Sequence, residues 1–396
     1  MINDPIAAAK LTLRRNQLSL GYIGAVDQHS PMIVPMEEQS GFLEVGRSTS
    51  NILRVRRTFG EDNHIGVLLT DRRLEGGGYN STAGLDLRWQ LRGRWRPYRL
   101  EAQWMFSRTS EPQDTSLSRS INGLPLGSSG HSADFDGETF NGHAGYLRLL
   151  REGRHFEFNA TYRQFSPTFR ADNGFITQNN IRKLFLRSGI ILYPTTPLLD
   201  QLEFNVMTGR EWNFDGLRKD QWLMPRLEAT FKGQTALSMR YLISRERFRG
   251  RDFPGIRRWS LGLESQAFKT LGFGMEATLG RSIARTIDPP VLGRYRSVEL
   301  FLTVKPSSRL VMDLNYQFSD MRWPDQPGFI FSGYLILTRI NYQFTRQLFL
   351  RVFAQYNQFT QHLQIDPLLT FKLNAFSAFY LGSSHQFNRY RDGHGL

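Results

Sequence analysis

Residues 98–109 read Tyr-Arg-Leu-Glu-Ala-Gln-Trp-Met-Phe-Ser-Arg-Thr, and apolar and polar side chains alternate along them. Every second residue from Tyr98 to Phe106 is apolar, and these residues share one face of a strand because successive side chains point to opposite faces. The other face carries charged and polar groups, and only Met105 departs from the pattern. Such a strand needs apolar material on one side and water or a polar network on the other.

The alternation recurs along nearly the whole chain, for example at residues 83–92, 155–163, 237–244, 297–305 and 310–319. Short polar turns and longer polar loops separate the strands in alternation. This order is typical of an up-and-down barrel with tight periplasmic turns and long extracellular loops. The sequence therefore predicts an all-β fold: a large antiparallel up-and-down transmembrane β-barrel of about 20–22 strands. The longer loops are predicted at residues 27–46, 110–138, 171–175, 212–219, 248–255, 287–293, 321–328 and 361–367.

Composition sets limits on the class of protein. No linker or low-complexity tract divides the 396 residues, so we predict one domain over residues 1–396. No apolar run approaches the roughly 18 residues of a membrane helix, and barrel strands need none. The chain has no cysteine, which excludes a disulfide framework and a thiolate metal site. The first and last predicted bends are both tight turns, so we expect the sequence to be the barrel part of a longer protein with one more strand at each end.

The net charge of +14 fits nucleic acid, anionic lipid or an anionic solute as partner. The basic residues are interleaved with apolar ones and gathered in short turns rather than in one continuous patch. We therefore predict outer-membrane lipid and small solutes or oligosaccharides as partners, no nucleic acid, and the outer membrane of a Gram-negative bacterium as the location. A soluble, basic, all-β nucleic-acid-binding protein is the alternative.

Charged residues on the polar face of the predicted strands are the main functional signal. In a channel such residues would set ion selectivity and conductance, whereas in a filled interior they would only pair across neighbouring strands. The candidates for lining a pore are Asp86, Arg88, Arg99, Glu101, Glu157, Arg163, Arg240, Glu299, Lys305, Asp313 and Arg351.

No motif for catalysis or cofactor binding stands out, so we predict no enzyme activity, no cofactor and no metal. The eight histidines lack metal-ligand spacing, and no Gly-x-Ser-x-Gly elbow is present. Residues 134–138, Asp-Phe-Asp-Gly-Glu, contain a fragment of a calcium-loop pattern. Three carboxylates alone are weak evidence for calcium, and a solvated acidic loop is the preferred interpretation. Gly272, Gly274 and Gly280 lie in a strand pattern and indicate bends or close packing.

Several segments resemble an outer-membrane family of unknown function whose full-length members carry a domain similar to carbohydrate-binding module family 9 ahead of a large C-terminal barrel. The resemblance rests on residues 9–11, 53–57, 65–72, 80, 83–86 and 172–175. It implies a barrel, and this chain lacks the family's binding module and terminal strand. We therefore predict a polar-lumen pore or transporter-like channel for solutes, with a glycan-related solute as one option. The alternative is a membrane anchor or secretion scaffold for the missing N-terminal module.

Overall fold

In a computed structural model, residues 4–374 and 377–388 are described, and nearly all their regular structure is β-strand. A short 3-10 turn covers Gly93–Trp95, and no helix in these ranges is long and apolar enough to span a membrane. The strands are β1 (Asp4–Arg15), β2 (Leu18–His29), β3 (Pro31–Pro35), β4 (Ser40–Glu44), β5 (Ser48–Phe59), β6 (Asn63–Leu74), β7 (Tyr79–Gln90), β8 (Tyr98–Ser110), β9 (Thr139–Arg151), β10 (Phe156–Phe165), β11 (Ile181–Leu192), β12 (Leu199–Trp212), β13 (Arg218–Phe231), β14 (Thr235–Phe248), β15 (Arg251–Ser265), β16 (Leu271–Ala284), β17 (Val291–Ser307), β18 (Leu310–Arg322), β19 (Phe329–Gln343), β20 (Leu348–Asn357), β21 (His362–Lys372), β22 (Ala378–Gly382) and β23 (His385–Asn388).

All strands except β3 and β4 belong to one sheet of 21 strands. Antiparallel pairs follow chain order from β5 to β10 and from β15 to β21, and β2 pairs with both β1 and β5. The short strands β22 and β23 pair with different parts of β21, so together they make one further span. The prediction of an all-β, antiparallel, up-and-down sheet of about twenty strands is confirmed.

The chain forms two compact units. Unit 1 comprises Met1–Gly189, Met207–Trp222 and Glu246–Asp252, and unit 2 comprises Ile190–Val206, Leu223–Arg245 and Phe253–Leu396. Each unit has the alternating strand faces that the sequence predicts. The single domain over residues 1–396 stays a prediction.

In unit 1, the strand register sorts side chains into two faces. Val67, Leu85 and Trp104 are aligned across β6, β7 and β8, on what we call the apolar face. The neighbouring row, which contains Asp86 and Gln103, belongs to the polar face. Trp104 is 43 % exposed, and other large apolar residues of the apolar face, such as Leu85, are also exposed. A soluble protein would bury such a face in its core, because burial of apolar area is the main driving force for folding.

Unit 2 repeats the arrangement. Leu263, Met275 and Leu300 are aligned on the apolar face of β15, β16 and β17, while Glu276 and Glu299 face each other on the polar face. Leu314 on β18 is 39 % exposed. In the alternative of a soluble all-β protein these side chains would be buried in a core, and the exposure of Met275, Leu300 and Leu314 contradicts it.

The buried apolar core of unit 1 lies in its long loops rather than under its sheet. The segment at residues 27–46, predicted to be a polar loop, contains the end of β2 (residues 27–29) and the hairpin β3–β4. The apolar residues of this hairpin are buried. They pack against residues of the loop between β8 and β9. The cluster comprises Met32, Val34, Met36, Leu43, Val45, Ile121, Leu126, Ala133, Phe135 and Phe140.

Two further loop predictions are wrong. Residues 248–255 hold a tight turn at Arg249 and Gly250, both at positive φ, and β15 begins directly after it. Residues 361–367 lie mostly in β21, where Pro367 pairs opposite Val352. Proline and glycine indicated loops in both places, yet an individual proline is tolerated in a strand where its missing N–H is not required by the hydrogen-bonded ladder.

Candidate functional site

The polar face of unit 1 carries an ion cluster around Asp86. Arg54 forms two hydrogen bonds to this carboxylate, one of them 2.8 Å long from Nη2 to Oδ1. His64 Nε2 lies 3.2 Å from the same Oδ1. Gly66 stands between these residues, and a Cβ at Gly66 would come within 2.7 Å of Asp86 Oδ2. The glycine therefore leaves the space that the Arg54 side chain needs to cross β6.

A second cluster places one carboxylate among three guanidinium groups. Glu101 lies 3.1 Å from Arg99, 3.6 Å from Arg148 and 3.9 Å from Arg88. Arg88, Glu101 and Arg148 stand directly opposite one another on β7, β8 and β9. In the described residues, the buried Nε atoms of Arg88 and Arg99 make no hydrogen bond of good geometry, although Arg99 Nε lies 3.1 Å from Glu101 Oε1. Arg99 also lies 3.5 Å from Glu152, so three guanidinium groups face two carboxylates and the cluster keeps one positive charge in excess.

The remaining candidates of unit 1 lie on β10. Glu157 forms an ion pair of 3.1 Å with Arg187 of β11. Arg163 is exposed on the polar face, and within residues 4–374 and 377–388 it forms no ion pair. Its charge is therefore not cancelled by a neighbouring carboxylate.

In unit 2, the candidate residues are spread along the polar face. Arg240 pairs with Glu276. Glu299 accepts hydrogen bonds from Gln317 at 2.7 Å and from Asn315 at 3.3 Å. Asp313 accepts one from Thr303 at 2.8 Å, and Arg351 is exposed, without an ion pair in the part of the chain that the structure describes.

Unit 2 also contains a recess of about 950 Å³ on its polar face. Gly262, Gly272 and Gly274 contribute no side chain to its wall, which leaves the space open. Lys305 and the exposed ring of Phe301 lie at its side. Gly272 and Gly274, which the sequence analysis interprets as marks of bends or close packing, therefore also leave space for the recess on the polar face.

All of the candidates predicted from the sequence lie on the polar faces, and that they line a pore stays a prediction. Sequence reasoning missed Arg54, His64, Arg148 and Glu276, which complete the ion clusters. Strand alternation contained the signal, because Arg54 lies on the polar face of β5 and Arg148 on that of β9. Which charges meet depends on register between strands, and the sequence does not give the register.

Long loops cover one end of the polar face in unit 1. We define the loop cap as residues 30–46, 111–138 and 166–180. Its last segment crosses four strands in order: Thr168 bonds to Asn141 of β9, Arg170 to Ser107 of β8, and Asp172 to Asn80 of β7. The Asp172 carbonyl then accepts a hydrogen bond of 2.8 Å from Arg72 of β6. A Cβ at Gly142 of β9 would collide with the backbone at Phe169, so this contact is close enough to require glycine.

Arg170 is the largest fully buried side chain of unit 1 and holds the loop cap together. It donates to Glu111 at 2.7 Å and, from Nε and Nη2, to Asp172 at 3.3 and 3.2 Å. Its guanidinium carbon also lies 5.4 Å from the centre of the Phe135 ring. Arg170 Nη2 also lies 3.2 Å from Met32 Sδ, so the contacts of Arg170 reach all three segments of the loop cap. A buried arginine of this kind requires its carboxylate partners.

Burial raises the pKa of the Glu111 carboxyl to about 7, although the nearby Arg170 guanidinium acts in the opposite direction. Asp136 and Glu138 raise this pKa further by repulsion. The folded cap therefore binds this proton more tightly than the unfolded chain does. Its stabilising contribution is complete below pH 4.5, the ordinary pKa, and is lost as the pH rises towards about 7.

In buffer that contains a metal chelator, we expect residues 111–138 to be better protected from amide hydrogen exchange at pH 5 than at pH 8. The comparison is made after correction for intrinsic exchange rates. Glu111→Gln resembles the protonated carboxyl and should remove most of this pH dependence. Glu61→Gln, at an exposed turn, serves as the control. An unchanged pH dependence in Glu111→Gln would contradict the assignment to this residue.

Although the sequence predicts no metal, the structure brings together three carboxylates that the sequence did not predict to be close. In the described part of the chain, Glu111, Asp136 and Glu138 each place a carboxylate oxygen within 4.8 Å of those of the others. Asp136 and Glu138 belong to the calcium-loop fragment, but Glu111 comes from the other end of the same loop and is buried. The acidic segment is thus only partly a solvated loop.

Neither a family profile nor a curated protein sequence matches the chain. Solved structures with a similar fold include the FrpB iron transporter from Neisseria meningitidis, at TM-score 0.52 and 10% identity, covering 92% of this chain and 72% of that one. The ferric enterobactin receptor PfeA of Pseudomonas aeruginosa has TM-score 0.51 and 10% identity, covering 93% of this chain and 68% of that one. The chain thus spans about two thirds of the length of these receptors.

At this level of identity the similarity establishes the fold alone. The prediction of a large antiparallel up-and-down β-barrel fold is confirmed. The two neighbours are named as an iron transporter and as a receptor for ferric enterobactin, and the location of this chain and its lack of enzyme activity stay predictions. The link to a family with a carbohydrate-binding module stays a prediction, and these similarities give no support for a glycan.

Proposed function

We propose that this chain is an outer-membrane barrel, folded as one domain, that passes or docks small solutes along its polar face and has no enzyme activity. The observation that carries the proposal is the pairing of two opposite faces on the same strands. One face exposes large apolar side chains such as Phe106, which is 60 % exposed, while the other carries ion clusters and a recess. A wall of this kind suits lipid on one side and water on the other.

Small anionic solutes are the class that the polar face favours. The cluster around Glu101 has three arginines for the two carboxylates of Glu101 and Glu152, and Arg163 and Arg351 are exposed without a carboxylate partner in the described residues. The net charge of +14 acts in the same direction. A receptor for ferric enterobactin and an iron transporter share the fold, which supports a small solute without identifying it.

The loop cap favours a gated rather than a permanently open path. Residues 166–173 lie across the polar face of β6–β9 and are hydrogen-bonded to each of those strands. A barrel of this size needs either an open water channel or a plug. The loop cap is therefore proposed to restrict one end of the path.

The test is the conductance of the purified protein in planar lipid bilayers. We expect stepwise conductance with anion preference under a KCl gradient, and larger steps for a variant that lacks residues 112–135 of the loop cap. Folding is verified by β-rich circular dichroism and by heat-modifiable migration on gels. Folded protein that stays silent in both forms would contradict the channel and favour an anchoring role.

A further inference from the structure

Glu111, Asp136 and Glu138 form a group of carboxylates whose nearest oxygens lie within 4.8 Å of one another, close enough to share one ion. They are held together by the backbone, since Glu111 N donates to the carbonyl of Glu138 at 2.9 Å and Gln113 pairs with Asp136. Phe135 and Gly137 adopt positive φ on either side of Asp136. The arrangement is therefore built by the fold of the loop rather than by chance proximity of flexible side chains.

A second observation concerns Glu111 alone. Its side chain is completely buried, and its Oε2 is inaccessible to solvent and has no hydrogen-bond partner in the described structure. The other oxygen, Oε1, accepts a hydrogen bond from Arg170 at 2.7 Å. A buried carboxylate oxygen without a donor carries a desolvation cost that a bound cation would offset.

We propose that these three residues form a calcium site in the loop cap. The donors are hard carboxylate oxygens, without a thiolate or imidazole among the three, and this favours calcium over zinc. Calcium accepts six to eight oxygen ligands in irregular geometry, so water and backbone carbonyl groups would complete the shell. Magnesium requires a nearly ideal octahedron and loses its water reluctantly, so it should bind to these carboxylates more weakly than calcium.

Neighbouring groups limit the affinity without preventing binding. Arg170 neutralises part of the charge of Glu111, and Glu138 Oε2 already accepts hydrogen bonds from His131 Nδ1 and from the Ser132 backbone, each at 3.1 Å. With one carboxylate oxygen from each residue still available, the site should bind with Kd of about 10⁻⁴–10⁻³ M, as weak calcium modules do outside cells. Bound calcium would join the two ends of the loop between β8 and β9 and stabilise the cap.

The experiment is calorimetric titration of the detergent-solubilised protein, after treatment with chelator, with CaCl₂ and separately with MgCl₂ at pH 7.5. We expect saturable binding of about one calcium per chain. Asp136→Asn replaces an exposed carboxylate by its neutral isostere and should weaken binding about tenfold or more. The matched control is Asp134→Asn, in the same acidic segment but outside the three-residue group, and its affinity should stay within about twofold of the wild type.

Hydrogen exchange gives a second readout on the same samples. Calcium should slow exchange across residues 111–138 in the wild type and in Asp134→Asn, but not in Asp136→Asn. The proposal is overturned if folded wild-type protein shows no saturable calcium binding, if magnesium binds as tightly, or if Asp134→Asn and Asp136→Asn lose affinity equally. The last result would indicate diffuse attraction of cations by an acidic loop.

Discussion

Arg163→Glu should shift the ion preference of the proposed pore towards cations, with a change in the cation-to-anion permeability ratio of about sevenfold in 10 mM KCl and about threefold in 100 mM. Arg163 is exposed on the polar face of β10 and has no carboxylate partner in the described residues. Its full charge therefore acts on a passing ion, and the substitution changes that charge by two units.

The expected size follows from Coulomb attraction in water. Two unit charges about 10 Å apart interact by about 0.4 kcal/mol, so a change of two units stabilises a cation and destabilises an anion by about 0.8 kcal/mol each. The permeability ratio therefore changes by about 1.6 kcal/mol before screening. The Debye length is about 30 Å at 10 mM and about 10 Å at 100 mM, so salt weakens the effect in the stated order. The measurement is the reversal potential under a KCl gradient in planar bilayers.

Arg57→Glu is the matched control. Arg57 is also exposed, but it stands opposite Leu18 and shares the apolar face of β5. The same change of charge on that face should leave the reversal potential unchanged. Equal shifts for both variants, or no shift for Arg163→Glu in folded protein, would show that the polar face of β10 does not contact the conducting path.

The strands were predictable because their pattern is local. Alternation along residues 98–109 was enough to predict β8 and the face on which Trp104 lies, since the period of side chains on a strand is two. The pattern fails where a strand contains residues typical of loops: Pro254 and Gly255 hid the start of β15, and Pro367 hid the middle of β21. At Pro367 the hydrogen-bonded ladder between β20 and β21 outweighs the local preference.

The candidate site was predictable in its faces but not in its pairs. Asp86 and Glu101 were correctly placed on the polar face, whereas their partners Arg54 and Arg148 are 32 and 47 positions away in sequence and depend on register. Loops were predicted at the three segments of the loop cap, but their packing against one another was not. Arg170 and Glu111 lie in polar loops without periodicity, and only the packing of three separate segments brings them together.

Arg170→Met should release the loop cap and thereby raise the conductance of the pore. Removing this side chain leaves the buried carboxylates of Glu111 and Asp172 without their cation, a loss that typically costs about 3–5 kcal/mol. The opening equilibrium of the cap would then rise by about two to four orders of magnitude. Hydrogen exchange across residues 111–138 and 166–180 should accelerate accordingly, while the strands keep their protection.

Arg119→Met is the control, because Arg119 lies exposed in the same loop and the substitution is chemically identical. It should change neither hydrogen exchange nor conductance. The size of the effect of Arg170→Met should also depend on pH, because burial raises the pKa of Glu111 to about 7. At pH 5 the protonated carboxyl no longer needs a cation, so the variant should lose less protection there than at pH 8.

A double variant separates loss of charge pairing from loss of packing. Glu111→Gln in the Arg170→Met background removes one of the two stranded carboxylates and should restore part of the protection at pH 8. If Arg170 acted mainly by filling space beside Phe135, the second substitution would bring no recovery. Recovery of protection together with a fall in conductance towards the wild-type value would show that the ion pair between Arg170 and Glu111 controls the gate. One electrostatic contact would then determine both the order of the loop cap and the opening of the path.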